Sequence, residues 1–113
     1  AALLLVQGAH DRIVAEIGKR AQQYTMEGNA IGILTTDETA ALYEPELLTS
    51  CKLLSLGSRL HQETMAANLF GRLREFDEKG VDVILAEAPE TNGIGMAVMN
   101  RLVKAAGGKI IKV

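Results

Sequence analysis

Short unbroken apolar runs alternate with segments of helical periodicity along the chain, and this alternation does most to narrow the fold. Leu3-Leu4-Leu5-Val6 is the first run, closed by Gln7-Gly8. A half-buried strand would alternate apolar with polar residues, so an unbroken run predicts a strand covered on both faces. From about Asp11 to Met26, the residues Ile13, Val14, Ile17, Ala21 and Tyr24 recur at three and four, which is helix spacing. Glu27-Gly28-Asn29 ends that helix, glycine tolerating a left-handed cap. Ile31 to Leu34 is the second strand. Thr35-Thr36-Asp37-Glu38 then offers N-cap oxygens to a short helix, Glu38 to Tyr43, which Pro45 ends. Lys52 to Leu56 is the third strand, stopped by Gly57-Ser58, and the longest helix follows from about Gln62 to Lys79. Its Met65, Leu69, Leu73 and Phe76 form an apolar stripe with Phe70 beside it, while Arg72, Arg74, Glu75 and Glu78 take the wet side. Glu75 and Lys79 have the spacing and order of a favourable helix pair. After Gly80 come a fourth strand, Val81 to Ala86, and a loop, Glu87 to Gly93. A last helix, Ile94 to Ala106, is closed by Gly107-Gly108, and a fifth strand runs from Ile110 to Val113.

Five strands alternating with four helices predict an α/β fold: a Rossmann-like three-layer sandwich whose five-stranded, mostly parallel sheet carries helices on both faces. A length of 113 residues allows one domain, expected to occupy positions 1–113. Right-handed crossovers leave few topologies, and the expected strand order is 3-2-1-4-5. The chain then reverses direction between strands one and four. The crevice at their carboxyl ends, where such folds bind ligands, would be lined by Gly8 and the loop from Glu87 to Gly95.

Composition removes several functional classes. Twelve basic against fourteen acidic residues leave a net charge of −2, so there is no electrostatic footprint for nucleic acid. Aromatic residues are 4 %, too few for a platform that stacks single-stranded bases. The longest apolar run, Ala1 to Val6, is far too short to cross a membrane. Cys51 is the single cysteine, which excludes a disulfide framework and a cysteine metal cage. With no secretory segment either, the expected setting is reducing and cytoplasmic. The chain opens inside an apolar run without an initiator Met, which suggests a piece of something longer.

Nucleotide chemistry finds little support. Gln7-Gly8-Ala9-His10-Asp11 has one glycine where a dinucleotide fingerprint needs three, and no Walker-type loop occurs. A phosphorylated receiver would need acidic residues where Gln7-Gly8 and Leu56-Gly57 stand. Gly93-Ile94-Gly95 opens the last helix. The paired glycines either let an anion approach free N–H groups or simply make a tight turn. Asn100-Arg101 interrupts an apolar segment, and Arg101 is either a grip for phosphate or carboxylate or a solvated helix cation. His10 and His61 lack a second ligand at i+3 or i+4, so no metal site is expected. Cys51 reads as an inert buried thiol, and Glu75, Asp77 and Glu78 as a wet helix face. Met26, Met65, Met96 and Met99 read as core or interface filler. Glu87 stands at the carboxyl end of strand four, at the switch point, without an acid, base or metal partner beside it. No catalytic residue is expected in the chain.

Three stretches carry a resemblance. Leu54-Ser55-Leu56-Gly57-Ser58 with Ala66-Ala67-Asn68-Leu69-Phe70-Gly71-Arg72-Leu73-Arg74-Glu75-Phe76-Asp77 resembles the "LF..LR..D" helix of the C-terminal domain of two-domain threonylcarbamoyl-AMP synthases. Gly80-Val81-Asp82-Val83-Ile84-Leu85-Ala86-Glu87 is similar to that domain's fourth strand. Gly93-Ile94-Gly95-Met96-Ala97-Val98-Met99-Asn100-Arg101-Leu102-Val103-Lys104-Ala105-Ala106 resembles its "GLG.A.MNRL.KAA" helix. The match is strong from about Ser55 to Ala106; before that it rests on the strand-helix pattern.

The resemblance implies a non-catalytic, Rossmann-like accessory domain joined through a linker to an N-terminal YrdC-type catalytic domain. The whole enzyme would condense threonine, bicarbonate and ATP into threonylcarbamoyl-adenylate, for modification of tRNA adenosine 37. No cofactor is then expected in this domain, ATP and Mg belonging to the catalytic domain. Its partners would be that domain and the linker, with tRNA met only indirectly and no membrane. Glu87, Asn92, Gly93, Gly95, Asn100 and Arg101 form the expected interface or anion-binding surface. Two alternatives stand beside this reading: a free-standing α/β module binding an anionic small ligand at Gly93–Gly95, and an independent enzyme using Glu87.

Overall fold

The computed structural model describes residues 1–89 and 93–113. The elements are β1 (Ala2–Gln7), α1 (His10–Met26), β2 (Ile31–Thr35), α2 (Asp37–Ala40), α3 (Pro45–Ser50) and β3 (Cys51–Ser55). They continue with α4 (Gln62–Glu78), β4 (Val83–Glu87), α5 (Ile94–Ala105) and β5 (Ile110–Lys112). All the strand pairings are parallel, and helices lie on both faces, as the alternation predicts.

The order across the sheet is β3-β2-β4-β1-β5, not 3-2-1-4-5. The β1–α1–β2 crossover skips one strand position, and β4 inserts there, pairing with β1 through Leu4↔Leu85 and with β2 through Ile33↔Leu85. A crossover that skips a strand obeys the same handedness rule as one between neighbours, so the periodicity alone could not separate the two orders. The consequence is functional. β4 becomes the central strand, and Glu87 at its end stands between β1 and β2.

Successive strand residues alternate between two cores. Leu3, Leu5, Leu34, Ile84 and Ala86 face α4 and α5, meeting Met65, Leu69, Phe76, Val98 and Leu102. Val6, Ile31, Ile33 and Leu85 face α1 and α3, meeting Ile13, Ile17, Ala21 and Leu47. The unbroken apolar runs are thus strands covered on both sides. At Gly32 the sheet comes so close to α4 that an added Cβ would lie 2.6 Å from the Phe76 ring.

Two local readings change. The short helix after β2 is only Asp37–Ala40, and Pro45 does not terminate it. Pro45 instead occupies the first turn of α3, a position where its fixed φ and missing N–H cost nothing, so the β2–β3 crossover carries two short helices. Arg72 is not simply a wet residue: its Nε donates to the Ser55 carbonyl at 2.8 Å, tying α4 to the end of β3. The Glu75–Lys79 pair forms as expected, at 3.3 Å. Cys51 is buried and unbridged. No helix among the described residues is long and apolar enough to cross a membrane.

Candidate functional site

Parallel strands deliver their carboxyl ends to one edge, and here the residues just past those ends converge on one side chain. Glu87 is 3 % exposed. Its Oε2 accepts from Thr35 Oγ1 at 2.5 Å and from the Tyr43 hydroxyl at 2.6 Å. Its Oε1 accepts from Thr39 Oγ1 at 2.7 Å and from an Arg59 guanidinium nitrogen at 3.3 Å. Thr35 ends β2 beside β4, Thr39 lies on α2, Tyr43 in the turn before α3, and Arg59 in the loop after β3. Each hydroxyl has one proton. Thr39 Oγ1 also lies 2.8 Å from Thr35 Oγ1 and 3.0 Å from Thr36 Oγ1, so the three threonine hydroxyls share their protons in one network around the carboxylate. Thr36 is the N-cap residue of α2, as the sequence suggests, but its hydroxyl serves this network and caps no backbone N–H.

A second carboxylate holds Arg59 in place. Glu38 accepts from the Ser58 hydroxyl at 2.5 Å and from the Arg59 backbone N–H at 2.8 Å. Those two hydrogen bonds, the backbone one foremost, hold the Glu38 carboxyl below the usual carboxylate range. Asp37 accepts from Ser55 Oγ at 2.6 Å, so α2 grips the β3–α4 loop through two adjacent side chains. Arg59 also meets His10 Nδ1 from the first residue of α1. The carboxyl ends of β2 and β4, the loop after β3 and the start of α1 are therefore joined through Arg59 and Glu87.

This arrangement is a latch, with both carboxylate oxygens engaged. A buried carboxylate is tolerated when donors surround it, and here both oxygens are shared among four. Among the described residues, no group of three or more His, Cys, Asp and Glu could hold a metal.

Burial, and after it the negative charge of Glu87, push the Tyr43 phenol well above the usual tyrosine range. The unfolded chain releases this proton near about pH 10, whereas the folded chain keeps it. The Tyr43 contribution to stability is therefore whole below that pH and falls as the pH rises through it. In a Tyr24→Phe variant, which leaves Tyr43 as the sole tyrosine, tyrosinate absorbance is expected to rise only together with loss of far-UV circular dichroism. Ionisation of a chain with a native spectrum would contradict the burial described.

The surface anticipated from the sequence is divided by the structure. Glu87 is at its centre. Gly93 and Gly95 open α5, Gly93 with a φ of 58° that favours glycine. The Gly95 N–H is already taken by Gln62 Oε1 at 3.1 Å, so the paired glycines dock the start of α5 on the start of α4. Asn100 is exposed. Arg101 lies about 10 Å further along α5 than Ile94, at 1.5 Å per residue. Its guanidinium rests over the Phe70 ring, 4.9 Å from the centroid, in the seam between α4 and α5. Its ring contact is with Phe70, apart from the cluster around Glu87. Asn92 lies outside the described residues.

An exposed cation–π contact is worth about 0.5–1 kcal/mol. Arg101→Ala should lower stability by about that amount, and by nothing measurable when Phe70 is already Ala, in urea melts of the four variants. Thr35, Thr39, Tyr43, Arg59 and Glu38 were not anticipated as site residues. The Thr35-Thr36-Asp37-Glu38 cluster was visible, but as helix-capping oxygens.

A family model described as the C-terminal domain of threonylcarbamoyl-AMP synthase matches residues 1–107. The threonylcarbamoyl-AMP synthase of Bacillus subtilis is 43 % identical over 112 residues, covering 99 % of this chain and 30 % of that protein. The one from Pyrococcus abyssi is 38 % identical over 113 residues, covering 100 % and 30 %. Among solved structures, Pyrococcus abyssi Sua5 complexed with L-threonine superposes with a TM-score of 0.84 at 38 % identity, over 100 % of this chain and 30 % of that one. A C-terminal Sua5 domain from Pyrococcus horikoshii gives 0.73 at 33 % identity, over 100 % of this chain and 97 % of that one. The chain spans about three tenths of the length of the curated relatives it matches. On a match that runs along nearly all of its length, the chain belongs to the threonylcarbamoyl-AMP synthase C-terminal domain family.

Proposed function

We propose that this chain is the non-catalytic accessory domain of an enzyme that makes threonylcarbamoyl-adenylate from threonine, bicarbonate and ATP, for threonylcarbamoyladenosine modification at tRNA position 37. A cytoplasmic setting goes with that role. ATP and Mg would be bound by the remainder of the enzyme, a YrdC-type catalytic domain, and tRNA would be met only indirectly. The observation that carries this reading is the state of Glu87. The carboxylate at the end of β4 is buried and fully engaged in joining loops, so it is committed to shape and not to a substrate. The carboxyl edge, with Arg59 at its centre and Leu60, Ile94 and Met96 exposed on the loop after β3 and the first turn of α5, is the surface offered to the rest of the enzyme.

The purified 113-residue chain, given threonine, bicarbonate, ATP and Mg, should release no pyrophosphate, while the longer protein that carries it should. Product from the isolated chain, abolished by a substitution within it, would overturn the reading.

A further inference from the structure

The two faces of the sheet are covered unequally. On one, α4 with 17 residues and α5 with 12 lie side by side. On the other, α1 with 17 residues has only the six-residue α3 beside it. Five strands about 4.8 Å apart leave room for two helices of about 10 Å diameter on each face. Six residues fill only about 9 Å of the second helix's place.

Beside α1 that place is a groove of about 510 Å³, with Val14 and Gly18 of α1 on one side and Leu42, Tyr43 and Leu47 on the other. It continues past Lys19 and Gln22 into a second depression of about 480 Å³ that reaches Met26, itself 88 % exposed. From Asp11 to Met26 the run is about 22 Å, the length of a four-turn helix.

Three features describe what the groove takes. Gly18 stands in mid-helix, where glycine is unfavourable, and a Cβ there would meet nothing within 4 Å. Packing inside the domain does not require it; a second backbone approaching α1 would. Leu42, 57 % exposed, and Met26 present apolar side chains along the groove. Asp11 and Glu44 give the groove two acidic residues and Lys19, about 12 Å from Asp11 along α1, a basic one, so a helix with predominantly basic polar flanks and one acidic side chain near Lys19 matches it. Tyr43 links the groove to the carboxyl edge, since it is a lining residue and its hydroxyl reaches Glu87.

We infer that the α1 groove docks an amphipathic helix from the part of the synthase polypeptide outside these 113 residues. About seven tenths of the relatives' length lies outside the matched region and can supply it. The helix sets apolar residues at three and four against Val14, Leu42 and Leu47, and a small residue against Gly18. The inference rests on the reading of the chain as one domain of a longer enzyme.

The test places the photoreactive residue p-benzoyl-phenylalanine at position 22 of the longer protein, an exposed position lining both depressions, so that the probe leaves the close approach at Gly18 open. Irradiation followed by peptide mapping should give an intramolecular crosslink to a segment outside residues 1–113 with apolar positions at three and four. A product of doubled mass would assign the groove to a second copy. Crosslinks confined to residues 1–113, no crosslink, or one to a segment without that pattern would also overturn the inference. In parallel, Gly18→Trp should lower the thermal transition of this domain by several degrees in the longer protein and leave that of the isolated chain equal or slightly higher, glycine being the poorer helix former. Equal shifts in both would count against docking. The readouts are contact and stability, not turnover. A protein that crosslinks as expected yet makes no threonylcarbamoyl-adenylate refutes the functional reading alone, whereas an active enzyme with a silent probe refutes the docking alone.

Discussion

Glu87→Ala is expected to destabilise the domain by about 3–5 kcal/mol, the usual range when one partner of a buried ion pair is removed. The loss has two parts. Arg59, with a side chain only 16 % exposed, keeps its charge without the carboxylate 3.3 Å away. The hydroxyls of Thr35, Thr39 and Tyr43 then point into a vacated space, and each buried unsatisfied donor carries a desolvation cost of about 1–3 kcal/mol, moderated where water enters. Single deletions of the donors should be milder. Tyr43→Phe and Thr39→Val each remove one hydrogen bond to a charged group, worth about 1.5–3 kcal/mol. Because all act on one carboxylate, their effects should fail to add, and double-mutant cycles by denaturant melts read that coupling. Near-additive losses would mean that the four donors do not share an acceptor.

The second large effect is expected where the sheet meets α4. Phe76 is fully buried, and its ring lies against the backbone of Gly32 in β2. Phe76→Ala should cost about 3–5 kcal/mol through lost burial and the cavity left behind. Gly32→Ala should cost about 1–3 kcal/mol for the opposite reason, since a Cβ 2.6 Å from two ring carbons forces the ring or the strand to move. The two changes should compensate. In a Phe76→Ala background, Gly32→Ala should be nearly neutral, because the obstruction has gone. Guanidinium melts of the four proteins check this, and a Gly32→Ala loss that persists without the ring would place the strain elsewhere.

These two sites differ in how far the sequence disclosed them. The stripe Met65, Leu69, Leu73 and Phe76 is legible because helical periodicity is a local property, and burial follows it at Met65, Leu69 and Phe76. The glycine opposite is not legible, since its necessity arises from a contact between residues far apart in the chain. The same distinction governs the sheet. Strand positions and the parallel α/β class follow from local patterns, whereas the neighbour relation of β4 with β1 and β2 depends on which crossover skips a place. Glu87 was placed correctly at the carboxyl end of β4, but its partners come from the β2–β3 connection and from the loop after β3. Thr35 and Thr39 were visible as polar residues in a capping cluster, and Tyr43 as the end of a helix that proved shorter. Arg59 sits in a turn with no local signal and becomes informative only once Glu38 holds its backbone. Arg101 shows the converse. Its place in an apolar segment suggested the carboxyl edge, yet helix rise carries it two turns away, onto Phe70.

Under the proposed function, the polar cluster at the carboxyl edge shapes an accessory domain and takes no part in the chemistry of the enzyme. The most direct measurement is pyrophosphate release by the longer protein carrying Glu87→Gln, at a temperature where circular dichroism shows this domain folded. Turnover per folded molecule is predicted to stay within about twofold of the parent. General acid or base groups contribute factors of about 10²–10⁴. A loss of that size with the domain still folded would put Glu87 in the reaction and contradict the account.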